Sequence, residues 1–118
     1  MEPFNPGADL NAVENAVGNE GTPAYLAIHN GHLDFLQVLS ELGADLGKAA
    51  DDGFTPAHEA SAIGDVEAIR FLHAHGVDLD ATNVNGWTPA FCASEHGYVK
   101  SVRVLYELGA NRDTIEYN

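Results

Sequence analysis

Apolar residues recur along this chain in short helical bursts, and the bursts themselves recur. Leu33, Leu36 and Leu39 stand three apart, as do Val66, Ile69 and Leu72, and again Val99, Val102 and Leu105. That spacing places each trio along one face of a helix. Each trio follows the one before it by 33 residues. Small residues keep the same interval: Ala27, Ala60 and Ala93 mark places where neighbouring helices approach closely. Punctuation does too. Thr-Pro-Ala occurs at 22–24, 55–57 and 88–90, and glycine falls at 31, 64 and 97 and at 43, 76 and 109. Self-similarity at a fixed period of this length means stacked units and not one globular core.

One unit can be read physically from Thr55 to Trp87. Thr55 suits a helix N-cap, and Pro56 takes the first helical position, where its missing N–H costs nothing. A short helix runs from there to about Ile63 and breaks at Gly64. A second helix starts near Asp65, whose charge suits a helix N-terminus, and Gly76 ends it with a left-handed residue. The stretch from Val77 to Trp87 has no helical period, and Asn85-Gly86 is a tight-turn pair, as is Asp52-Gly53 one unit earlier. Each helix pair is too short to bury its apolar face alone, so stacking makes the core.

This unit resembles the ankyrin repeat. The residues that carry the resemblance are Gly53-Phe54-Thr55-Pro56-Ala57-His58-Glu59-Ala60, then Gly64, Leu72 and Gly76-Val77-Asp78-Leu79. The resemblance implies an all-α solenoid of helix-turn-helix pairs joined by hairpin-like loops. It also implies a non-enzymatic module that binds partner proteins through a concave groove. The chain departs from the family in placing Ala where Leu usually follows Thr-Pro. Of the histidines that usually come next only His58 is kept, with Tyr25 and Phe91 in its place elsewhere, so inter-repeat histidine bonds are in doubt in the first and third repeats. Arg112 stands where Leu46 and Leu79 are apolar, which suggests that the stack is ending.

The expected organisation is a single domain over 1–118: a partial repeat or cap at 1–21, repeats at 22–54 and 55–87, and a third at 88–118 that is incomplete at its end. Pro6-Gly7-Ala8-Asp9-Leu10-Asn11 resembles the tail of a preceding repeat, and Asn118 aligns with Asp52 and Asn85. Excision from a longer array fits these ends slightly better than a natural three-repeat protein.

Charge narrows the partner. Five basic residues face 18 acidic ones, a formal net charge of −13. Such a surface repels nucleic acid and anionic lipid and favours a protein partner with a basic segment. Residues 88–118 hold three bases against four acids, whereas 22–54 and 55–87 each hold one base against five, so the basic segment should prefer the N-terminal side. The single cysteine, Cys92, excludes an internal disulfide framework, and no apolar run spans a bilayer. No signal peptide is visible at the start. A monomer in the cytoplasm, or else the nucleus, is the expectation.

Carried over by position, the family's groove falls on the loop tips and the ends of the first helices. That gives Asn19 and Gly21 on the first tip, Asp51, Asp52 and Phe54 on the second, and Val84, Asn85 and Trp87 on the third. The helix ends add His29, Asn30, Ala62, Ile63, Glu95 and His96. Exposed aromatics on a rigid scaffold make good anchors, which singles out Trp87 and then Phe54; packing on a neighbouring loop is the competing reading for both. The six histidines lack ligand spacing, so no metal and no cofactor is expected. Cys92, beside Ala93 inside a helix, reads as a buried inert thiol. The loop Leu72…Asp78-Leu79-Asp80 resembles the site of the asparaginyl hydroxylase that acts on ankyrin domains, but with Asp as acceptor, so an unmodified aspartate is the better reading. Two other functions stay open: a regulatory or targeting segment of a larger enzyme or channel, and a structural or engineered stack without a natural ligand.

Overall fold

A computed structural model describes residues 22–110. Asn19, Gly21 and Arg112 lie outside the described residues. Within them the chain forms six helices and no strand: α1 (Pro23–His29), α2 (Leu33–Glu41), α3 (Pro56–Ala62), α4 (Val66–Ala74), α5 (Pro89–Glu95) and α6 (Val99–Glu107). They make three stacked pairs, called here units one, two and three.

The helices begin where their caps dictate. Thr22, Thr55 and Thr88 each accept a bond from the backbone N–H three residues on, at 3.2, 3.2 and 3.1 Å, with Pro next in line. Each cap satisfies one orphan donor of the first turn and is worth about 1 kcal/mol. Asp65 caps α4 in the same way, accepting from Ala68 N–H at 3.1 Å. His32 and Tyr98 hold its position in α2 and α6 and cap nothing. Glycine separates the paired helices, and Gly64 is required there twice over. Its φ of +75° disfavours a side chain, and a Cβ would come within 2.9 Å of the Tyr98 ring.

The core is a column through the stack. Ile28, Leu36, Ile69, Leu72 and Leu105 are almost fully buried, and Ala57, Ala60 and Ala93 are completely so. Burying one Leu or Ile side chain stabilises by about 2 kcal/mol. Val99 departs from the expected stripe: it is 67% exposed, where Val66 is half-buried. Val66 has a following unit packed beyond it, and among the described residues Val99 has none.

The first helices pack more closely across units than the second ones do: α3 against α5 is the tightest contact of the stack, and α4 against α6 is looser. Alanine at 57, 60, 90 and 93 permits that approach. The stack therefore curves with α1, α3 and α5 on its inner side. The loops between units turn back like hairpins. Ala50 N–H donates to Phe54 O at 2.9 Å, and Asn83 N–H donates to Trp87 O at 3.1 Å. Val84 N–H donates to Asp52 O at 2.9 Å and ties the two tips together.

His58 ties α3 to the loop that leads into unit three. It is fully buried. Its Nδ1 accepts from Thr55 N–H at 3.1 Å, so Nε2 carries the hydrogen and donates to Trp87 O at 2.7 Å. Burial lowers its pKa from the usual 6.5, partly offset by the bond to Trp87, so the ring is neutral. Tyr25 and Phe91 hold the equivalent positions, and Phe91 has no polar atom to offer such a bond. Ser61 and Ser101 are also buried, and neither hydroxyl finds a partner. The equivalents of Ser101 are Ala68, buried like it, and Phe35, which is exposed.

Two outcomes are expected. His58→Phe, which borrows the residue found at 91, should cost about 1 to 2 kcal/mol at neutral pH by removing the bond to Trp87. A histidine whose folded pKa is depressed stabilises fully above its unfolded value and loses that stability as pH falls from about 6.5 toward the lower folded value. Urea unfolding at about pH 7.5 and about pH 5.5 should therefore show a steeper loss for the natural chain than for His58→Phe; equal slopes would remove the assignment. Ser101→Ala should raise stability by about 1 kcal/mol, because it removes a buried hydroxyl without a partner. A fall in denaturation midpoint would mean that the hydroxyl is satisfied.

Candidate interaction groove

The inner side of the curve and the loop tips bear most of the residues that sequence position assigned to a groove. Asp51 and Asp52 are exposed at the tip between α2 and α3. Asp52 Oδ1 accepts from Phe54 N–H at 2.9 Å and so stiffens the turn it sits on. Gly53 lies under the next loop, where a Cβ would meet Asn83 Cα at 2.9 Å, and its φ is +82°. Only glycine lets the two tips close up into a continuous edge. On the next tip, Val84 is 72% exposed and Asn85 and Trp87 are exposed. Asn83 Oδ1 holds that turn from inside, accepting from Asn85 N–H at 2.9 Å and Trp87 N–H at 3.0 Å.

The aromatic side chains form a ladder. Trp87 is 39% exposed and lies 5.1 Å from the Phe91 ring at a tilt of 43°, so the indole is partly packed and partly presented. Phe54 takes the packing alternative of the two readings open for it. It is half-buried, stacked on His58 at 5.1 Å and edge-on to Tyr25 at 6.0 Å. Its ring fills the space between units one and two, which the pattern of a single unit does not reveal. Tyr25 in turn stacks on His29 at 6.0 Å.

At the helix ends His29, Asn30, Ile63, Glu95 and His96 are exposed, and Ala62 is half-buried. His96 Nδ1 donates to Cys92 O at 2.9 Å and its ring stacks on Tyr98, which turns it along the helix end. His29 is brought to Glu59, with Nδ1 and Oε2 2.7 Å apart. An ionised carboxylate only accepts, so Nδ1 is the donor.

Glu59 is a buried charged residue beside these helix ends that sequence position did not single out. It is only 6% exposed, on α3, at the place held by Leu26 in α1 and Cys92 in α5. A buried charge needs partners, and His29 from unit one provides one. Burial, with the adjacent Glu59 charge, pushes the Tyr25 phenol up to about 12. Burial likewise pushes the Cys92 thiol up to about 11, with Glu59 and Glu95 adding to it. Cys92 is 3% exposed and stays protonated at neutral pH, so it is no nucleophile. A carboxyl in a run of Leu and Cys could have drawn notice in the sequence. Its partner, 30 residues away, could not.

Among the described residues no group of three or more His, Cys, Asp or Glu side chains is placed to hold a metal ion. No helix there is long and apolar enough to cross a membrane.

The family model described as ankyrin repeats (3 copies) matches residues 4–82 and 26–115. No curated protein matches the chain significantly. Threonine-capped helix pairs, inner helices packed through alanine and hairpin-like tips joined edge to edge agree with that match over most of the sequence: the chain belongs to the ankyrin-repeat family.

Proposed function

We propose that the chain is a non-catalytic binding module that takes a basic segment of a partner protein along its inner face, with Trp87 as the anchor. Ankyrin repeats are generally protein-interaction modules. The observation that carries the finer reading is Trp87 itself. The ring leans on Phe91 at a tilt, its backbone carbonyl is held by His58 and its backbone N–H by Asn83. A large aromatic presented on a fixed main chain loses little entropy on binding. Around it the tips offer Val84 and Asn85 on one side and the Asp51 and Asp52 carboxylates on the other, with His29, Ile63, Glu95 and His96 along the helix ends. A lysine or arginine laid over the open indole face gains cation–π attraction as well as the acidic field. Phe54 contributes by backing this surface. The same arrangement would serve a regulatory segment of a larger protein, since the recognition chemistry does not change.

Trp87 is the sole tryptophan of the sequence, so its fluorescence reports on the groove alone. The test is an array of unrelated peptides from acidic to basic, probed with the full chain, followed by fluorescence titration of the binders. Binding should favour lysine- and arginine-containing peptides and weaken as salt rises, because exposed charges are screened over about 8 Å at physiological ionic strength. Trp87→Ala should weaken the best binder about tenfold or more while circular dichroism stays unchanged. Binders without a basic bias, or an undiminished affinity in Trp87→Ala, would sink the groove assignment.

A further inference from the structure

Two apolar faces stand open at opposite ends of the described stack, and the repeat register tells how they match. Two positions on each second helix are covered to different degrees where another unit precedes it. They hold Ala68, buried, and Phe71, half-buried, in unit two, and Ser101 and Val104, 0% and 6% exposed, in unit three. In unit one the same positions hold Phe35 and Val38, exposed at 42% and 45%, and Leu42 one turn on is 46% exposed. Phe35 and Val38 are large apolar residues at places that a preceding unit covers at least in part.

At the other end, Ser94, Gly97, Tyr98, Val99, Val102 and Arg103 line an open, mostly apolar hollow of about 520 Å³. Val99 is 67% exposed and Tyr98 40%. The seam between units two and three shows what such a face receives. There the Tyr98 ring lies over Gly64, and Arg70 Nη2 stands 3.8 Å from Glu107 Oε1. Gly97 and Arg103 repeat Gly64 and Arg70 on the open face. Among the described residues no atom lies within 4 Å of where a Cβ would stand on Gly97, as is also true of Gly31 in unit one. Among the described residues Arg103 meets no carboxylate.

Unit one carries the counterparts in the same register. His32 holds the position of Tyr98, and Glu41 holds the position of Glu107. Both are exposed. Phe35 holds the position of Ser101 and is larger, and the hollow supplies room for a ring that the inner seam lacks.

We propose that the face bearing Val99 and Arg103 in one copy stacks on the face bearing Phe35, Val38 and Leu42 in a second copy. The repeat register then continues across the junction, with Phe35 in the hollow and Glu41 beside Arg103. The two copies use different patches, so the contact is heterologous and does not close at two. Each copy carries a net charge of −13, so mutual repulsion opposes stacking and salt relieves it. Salt thus acts in the opposite direction from its effect on a basic peptide in the groove, and the groove itself stays free.

Light scattering and sedimentation equilibrium on the full chain test this, over rising concentration at low and high salt. The average mass should climb past that of a dimer without a plateau, and climb further in high salt. Val38→Asp and Val99→Asp each place a carboxylate on one exposed face, with circular dichroism confirming the fold. Each variant alone should lose self-association by about tenfold or more. Mixed together they retain one intact face of each kind and should form a one-to-one pair that grows no further. A chain monomeric under all these conditions overturns the proposal. So does a dimer that stops at two and survives both substitutions, or a mixture that stays monomeric. None of these outcomes bears on peptide binding in the groove.

Discussion

Close approach of the first helices is the constraint on which the rest of the solenoid depends. Ala57, Ala60, Ala90 and Ala93 carry no side chain beyond Cβ, and all are 2% exposed or less. A larger residue at any of them would push α3 and α5 apart and open the column of Leu and Ile behind them. Interiors packed at crystal density transmit such a displacement and do not absorb it. The same closeness sets the curvature, because the second helices stay further apart. Curvature in turn decides which side of the stack is concave and brings the loop tips into one edge.

Polar contacts then add register to a core that apolar burial alone would leave able to slip. His58 reaches from α3 to the carbonyl of Trp87, and His29 reaches from α1 to Glu59. Both bonds are directional: the second joins units one and two, and the first fixes α3 against the residue that precedes the Thr88 cap of unit three. The His58 bond also settles where the tip begins, because the carbonyl it holds belongs to the residue that presents the indole. Core and candidate groove therefore share a part, and neither can shift without the other.

Much of this was legible in the sequence, because period, caps and breaks are local. Thr55-Pro56, Gly64, Asp65 and Gly76 act through their own backbone neighbours, and the structure puts each where local chemistry would. What stayed hidden depends on a neighbouring unit. Val99 matches Val66 in the pattern yet is open to solvent. Phe54 and Trp87 share a position, but Phe54 is wedged between Tyr25 and His58 while among the described residues Trp87 meets the single ring of Phe91. Glu59 has no visible partner in the sequence until His29 is brought to it. A repeat pattern treats all units alike, and the differences among them arise from what stacks on each side.

Cys92 makes the stack's breathing observable. It is the sole cysteine of the sequence, buried on α5 beside the tightest helix contact, with its thiol pushed up to about 11. A thiol reagent reaches it only when the packing around α5 opens, and in exchange language the labelling rate measures that opening equilibrium. The chain thus carries one chemical reporter beside the seam whose integrity holds the fold together, silent while the helices stay packed and reactive when they open.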